Sequence, residues 1–141
     1  MNMKILVIDG QGGGLGKNII SKIKKDESFS HCEIIAVGTN SIATSAMLKA
    51  GANYAATGEN AVMYNCRNSD IIIGAVGIAF ANSMLGEISP NMAAAVSKSH
   101  AYKLLVPISK CNVGIAGVAE KPMLNYIDDL ISELCKFQKN R

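Results

Sequence analysis

The chain alternates short, nearly unbroken apolar runs with longer stretches in which apolar residues recur at helical spacing. Ile5-Leu6-Val7-Ile8, Glu33-Ile34-Ile35-Ala36-Val37, Asp70-Ile71-Ile72-Ile73 and Ala101-Tyr102-Lys103-Leu104-Leu105-Val106-Pro107 leave little room for a polar face. Such runs predict strands, and the first, with four consecutive apolar residues, predicts one buried on both sides, as in a parallel sheet. Asn53-Tyr54-Ala55-Ala56-Thr57 predicts a shorter third strand, and Val113-Gly114-Ile115-Ala116-Gly117-Val118 a sixth. Between them, Leu15, Ile19, Ile20 and Ile23 fall on one helical face, with Lys17, Asn18, Lys22, Lys24 and Lys25 outside. Residues 41–50 form an alanine-rich helix whose larger apolar residues are Ile42, Met47 and Leu48, closed by Gly51 at the left-handed cap position. A helix beginning at Gly58-Glu59-Asn60 turns Ala61, Val62 and residues 64–66 toward the sheet, and Ser89-Pro90 starts another. Residues 123–137 are amphipathic, with Leu124, Ile127, Leu130, Ile131, Leu134 and Cys135 on one face, and the tail from Gln138 is expected to fray. The prediction is an α/β fold, one three-layer domain over residues 1–141, whose mostly parallel sheet of five to six strands carries helices on both faces.

The first strand runs directly into Asp9-Gly10-Gln11-Gly12-Gly13-Gly14-Leu15-Gly16-Lys17. Strand, glycine loop, helix is the order that aims unpaired amides and the positive end of a helix dipole at a phosphate. The candidate cofactor-binding residues are therefore Gly10, Gln11, Gly12, Gly13, Gly14, Leu15 and Gly16. The usual Gly-x-Gly-x-x-Gly spacing is not met, since Gly10 and Gly12 would need glycine where Leu15 stands. Gly10, Gly14 and Gly16 do satisfy Gly-x-x-x-Gly-x-Gly, which resembles the cofactor loop of short-chain dehydrogenases. The bland alternative is a glycine turn that only lets the helix approach the sheet. A P-loop of the partition-ATPase kind ranks third, because Asn18 stands where a hydroxyl should meet magnesium and Gln11 where the first glycine belongs.

Ligands of open parallel sheets bind beyond the C-terminal strand ends, where the strand order reverses. The loops 10–16, 38–40, 57–60 and 74–77 should therefore line one crevice, adding Thr39, Asn40, Gly74 and Val76 to the candidates. At the end of the second strand a dehydrogenase of this architecture places an acid for the adenosine ribose. Here Gly38-Thr39-Asn40-Ser41 supplies neither acid nor arginine, which leaves both NAD and NADP selectivity open, and these residues serve equally as helix caps. Residues 78–90 are a loop or short helix over the pocket, with Asn82, Ser83 and Glu87 as polar groups in reach of a ligand and Met84 and Leu85 as core filling. Glu87 as an acid or base has only its position to recommend it. Cys111, next to Lys110, lacks the nearby base that a thiol nucleophile needs.

Composition narrows the remaining choices. With 141 residues, 49% of them hydrophobic and 18% charged, the chain has material for one well-buried core but not for a separate substrate domain. A net charge of +3 on dispersed lysines, with four tyrosines and three phenylalanines, argues against nucleic acid as a partner. No run reaches the length of a membrane span or the form of a signal peptide. Cys32, Cys66, Cys111 and Cys135 are widely spaced and show no metal-ligand pattern, so no metal is expected and a reducing, cytoplasmic location is.

Taken together, Ile8 to Lys17, the run Gly-Thr-Asn-Ser-Ile-Ala-Thr-Ser-Ala-Met-Leu-Lys-Ala-Gly-Ala at 38–52, Ala-Thr-Gly-Glu-Asn-Ala at 56–61 and Ala-Asn-Ser-Met-Leu-Gly-Glu-Ile-Ser-Pro at 81–90 resemble an uncharacterised bacterial family of short Rossmann-like proteins, catalogued as a domain of unknown function. That resemblance implies the fold and assigns no activity. The leading expectation is a module that binds a nucleotide or dinucleotide, with NAD or NADP as cofactor, acting as a homodimer or beside an enzyme partner. A small NAD(P)-dependent oxidoreductase is the alternative. It lacks the tyrosine and lysine pair of short-chain dehydrogenases, since Tyr54, Tyr64, Tyr102 and Tyr126 lead four residues on to Gly58, Asn68, Val106 and Leu130.

Overall fold

The computed structural model describes residues 2–108 and 112–141. Five strands, β1 (Lys4–Asp9), β2 (Glu33–Gly38), β3 (Tyr54–Thr57), β4 (Ile71–Ala75) and β5 (Tyr102–Val106), alternate with helices α1 (Gly14–Lys25), α2 (Ser41–Lys49), α3 (Glu59–Cys66) and α4 (Pro90–Lys98), and α5 (Met123–Lys139) closes the chain. The sheet is wholly parallel in the order β3-β2-β1-β4-β5. The strand order therefore reverses between β1 and β4, and all connecting loops at one pole follow C-terminal strand ends. β1 and β2 run in register down to Asp9 opposite Gly38, so both strands stop at the same level.

The core follows the apolar runs. Ile5, Leu6, Val7, Ile71, Ile72 and Ile73 are fully buried in the two central strands, while Leu15, Ile19, Ile20 and Ile23 pack down from α1. Helix α1 packs against α2 and α5, and α3 against α4, which gives the three expected layers. Several caps also fall where predicted. Gly51 has a positive φ of 121°, Ser89 accepts from the Met92 amide ahead of Pro90, and Asn40 accepts from the Ala43 amide at 2.9 Å. No helix among the described residues is long and apolar enough to cross a membrane.

Some expectations fail for local reasons. No sixth strand forms over 113–118: Gly117 turns the chain at φ 82°, and the Tyr126 hydroxyl, which donates to the Ala119 carbonyl and accepts from the Lys121 amide, ties the segment to α5 instead of to the edge of β5. The tail does not fray at Gln138, which donates to the Ser28 carbonyl at 3.0 Å, and Arg141 meets Asp70 at 3.5 Å. Asp70 also accepts from the Lys4 amide, so both ends of the fold gather at the N-terminal pole of the sheet. On two helices one large side chain faces outward against the predicted pattern, Tyr64 on α3 and Leu124 on α5, and on α2 Ile42 is exposed as well; all three are more than half exposed.

Gly13, the residue before α1, packs closely against α2. Its φ of 76° lies in the left-handed region, and an added Cβ would stand 2.9 Å from the Ala43 Cα. Backbone strain and overpacking act together there, so Gly13→Ala is expected to cost about 2–4 kcal/mol of stability. Urea unfolding checks this: the midpoint should fall with an unchanged slope.

Candidate functional site

The strand β1 ends on a carboxylate that shapes the loop after it. Asp9 is only 6% exposed, and its two oxygens accept from the Gly10 amide at 2.8 Å and the Gly16 amide at 2.7 Å. The glycine loop is folded around this side chain: the Gly13 amide returns to the Gly10 carbonyl, and the Lys17 amide to the Gly13 carbonyl as the helix begins. Gly16 must lack a side chain for this, because a Cβ there would lie 3.0 Å from the Asp9 Cβ and 2.5 Å from the Met47 sulfur.

A second carboxylate arrives from far along the chain. Glu87, in the connection between β4 and α4, places one oxygen, Oε1, where it accepts from the Gln11 amide at 2.8 Å, from the Asn40 amide nitrogen at 3.1 Å and from the Thr39 hydroxyl. Asn40 also donates to the Gln11 carbonyl at 2.9 Å. Gly10 leaves the room for this meeting, since a Cβ there would lie 2.7 Å from both Glu87 Oε1 and Thr39 Oγ1. The other Glu87 oxygen, Oε2, takes no hydrogen bond from any described residue. No buried side-chain oxygen among those residues lacks a partner, so Oε2 faces solvent.

The loop that carries Glu87 is stiffened from within. Asn82 donates its amide to the Ile88 carbonyl at 2.7 Å, Ile88 returns its amide to the Ser83 carbonyl, and the buried Ser83 hydroxyl donates to the Gly77 carbonyl. Met84 is buried as expected, but Leu85 is 98% exposed, and both have φ near 56°. The left-handed turn that drives Met84 into the core turns Leu85 out, correcting its expected place as core filling. Ser83 likewise faces inward to its carbonyl rather than toward a ligand.

The predicted site residues therefore divide. Gly10, Gln11, Thr39 and Asn40 come together under Glu87, and Gly12, Gly13, Gly14, Leu15 and Gly16 form the loop beside them. Gly74 is buried within β4, with its Cα face against Ile78 and the Ile8 carbonyl, and Val76 begins the short helical turn after it. The amides of Gly10, Gln11 and Gly16 are occupied by the protein's own carboxylates, whereas those of Gly12 and Gly14 donate to no described group. A Cβ added at either of these two glycines meets nothing within 4 Å. Of the other candidates, Ser109, Lys110 and Cys111 lie outside the described residues. Burial pushes the Cys66 thiol up to about 11 and raises Cys32 as well, which keeps both in the unreactive thiol form. Lys17 lines a groove of about 870 Å³ between α1 and α2 together with Ser45 and Lys49. Among the described residues no group of three or more His, Cys, Asp and Glu side chains is placed to hold a metal.

Residues 4–139 match a family model described as Domain of unknown function (DUF3842). The chain belongs to this family. No curated protein and no solved structure matches it. Within the DUF3842 fold, sequence reasoning saw the glycine loop and the residues after β2 but left Glu87 without a role. The available signal was a lone acid in a connection that follows the strand beyond the switch point, which is where a parallel fold returns the chain over its crevice.

The two carboxyl pKa values are shifted in opposite directions. Burial lifts Asp9 above its ordinary value of 3.8, more than the Gly16 and Gly10 amides lower it, and the charge of Glu87 adds to the rise. Glu87 is held below its ordinary 4.5, first by the Thr39 hydroxyl and then by the Gln11 amide. By linkage, the raised Asp9 contributes stability that is whole below its unfolded value and is lost as pH rises through its folded one. The depressed Glu87 contributes stability that is present above its unfolded value and is lost as pH falls through its folded one. Carbon-detected NMR titration of the side-chain carboxyls is expected to place the Asp9 midpoint above 3.8 and that of Glu87 below 4.5, and a shift of either in the other direction would overturn this account.

Proposed function

We propose that this DUF3842 protein is a binding module for a phosphate-bearing nucleotide or dinucleotide of the NAD(P) type. The reading is carried by Gly12 and Gly14, just before and at the first residue of α1, whose amides donate to no described group and whose missing side chains leave open space, beside the switch point between β1 and β4. Amides at a helix start favour an anion both by direct donation and through the dipole, and a glycine side lets a phosphate come close to the backbone. Asp9 occupies the inner face of the same loop, so the ligand phosphate lies on the outer face, at Gly12 and Gly14, away from the buried carboxylate. The sugar then extends toward the ends of β1 and β2.

A P-loop reading draws no support from Lys17, which lines the groove between α1 and α2. The oxidoreductase reading requires a proton-transfer group, and among the described cysteines Cys32 and Cys66 are raised by burial.

Thermal-shift measurements against NAD, NADP, FAD, ATP, AMP and coenzyme A test the proposal. A bound ligand at one hundred times its dissociation constant stabilises the fold by about 2.7 kcal/mol, which moves a domain of this size by several degrees. The expected result is a shift with at least one nucleotide that Gly14→Val abolishes, as a branched side chain would cover the free amides. Silence toward the whole panel would sink it, and a response to ATP with magnesium alone would favour the P-loop.

A further inference from the structure

We propose that Glu87 selects the sugar of the bound nucleotide, accepting from unmodified ribose hydroxyls and excluding a ribose that carries a 2′-phosphate. The inference rests on the nucleotide reading and deepens it. In a parallel sheet of this type a ligand phosphate at the start of α1 puts the adenosine ribose over the end of β2, where an acid commonly receives the 2′-hydroxyl. β2 ends at Gly38, and Thr39-Asn40 that follow carry no acid.

Glu87 fills that position from 47 residues away. Its Oε1 is fixed by three donors, the Thr39 hydroxyl, the Asn40 side chain and the Gln11 amide, two of them on the residues that follow β2. This division of labour leaves Oε2 open to solvent, with no hydrogen bond from any described residue. An ionised carboxylate can only accept, and a vicinal diol offers two hydroxyl donors, so the two are matched. A phosphate monoester at the same carbon brings two negative charges against a carboxylate that cannot move aside. Three hydrogen bonds hold its partner oxygen, and a loop closed by the Asn82, Ser83 and Ile88 bonds holds its backbone. Among the described residues no Arg or Lys takes part in the hydrogen-bond cluster to offset that charge.

Glu87→Gln tests the assignment with little risk to the fold, because the amide keeps an oxygen for the three donors and replaces the free oxygen with an NH₂ donor. Isothermal titration at low salt would compare NAD with NADP, and AMP with adenosine 2′,5′-bisphosphate. The native protein is expected to favour the unphosphorylated member of each pair by about tenfold or more. In Glu87→Gln the preference should shrink to near parity, through weaker binding of NAD or AMP and tighter binding of the 2′-phosphorylated partner. Binding of both members with equal strength to the native protein would overturn the role of Glu87 and leave nucleotide binding standing. An unchanged preference in Glu87→Gln would overturn it likewise. Failure of all four compounds, alongside a silent thermal-shift panel, would remove both proposals together.

Discussion

The hydrogen bonds that Asp9 accepts from Gly10 and Gly16 are the constraint on which the crevice depends. They connect the last residue of the central strand to the first turn of the helix after it, and they spend two backbone donors on a carboxylate that is almost wholly out of water. Burying a carboxylate is costly unless such donors surround it. The loop geometry follows: a short excursion with left-handed residues at Gln11 and Gly13, and glycine wherever α2, Met47 or Glu87 comes too near for a side chain. The usual picture of a glycine loop as a set of amides waiting for a phosphate is thus half true here. The inner amides serve the fold, and only the outer ones remain for a ligand.

Glu87 repeats this arrangement at longer range. A single oxygen gathers groups that follow β1 and β2, so the connection after β4 is fastened across the sheet's switch point. The two acids lie close enough for the charge of one to raise the pKa of the other, yet their environments separate them: one is buried, the other rich in donors. This pairing sets one buried and one donor-rich carboxylate beside a loop in which the Gly12 and Gly14 amides donate to no described group.

Much of the fold was legible because its signals are local. Four apolar runs, three of them buried and the fourth, β5, half-buried at the sheet edge, the glycine after β1, Gly51 and Ser89-Pro90 each state their structure within a few residues, and the register of the parallel sheet then brings the candidate loops to one pole. What was not legible depended on contacts between distant segments. Val113 to Val118 has the composition of a strand, but the Tyr126 hydroxyl holds its far end against α5. Leu85 has the composition of core, and successive left-handed residues reverse its direction. Thr39 and Asn40 appeared to lack an acid because the acid is supplied by Glu87, whose distance along the chain says nothing of its distance in space.

Asp70 has a practical consequence for handling the molecule. It receives the amide of Lys4 and meets Arg141, so the first strand enters and the last helix leaves at neighbouring points. β1 then carries the chain across the sheet by six residues, about 20 Å, before Asp9 is reached. A purification handle, fluorescent protein or surface tether attached at either terminus would hang from the far pole, clear of Gly12, Gly14 and Glu87.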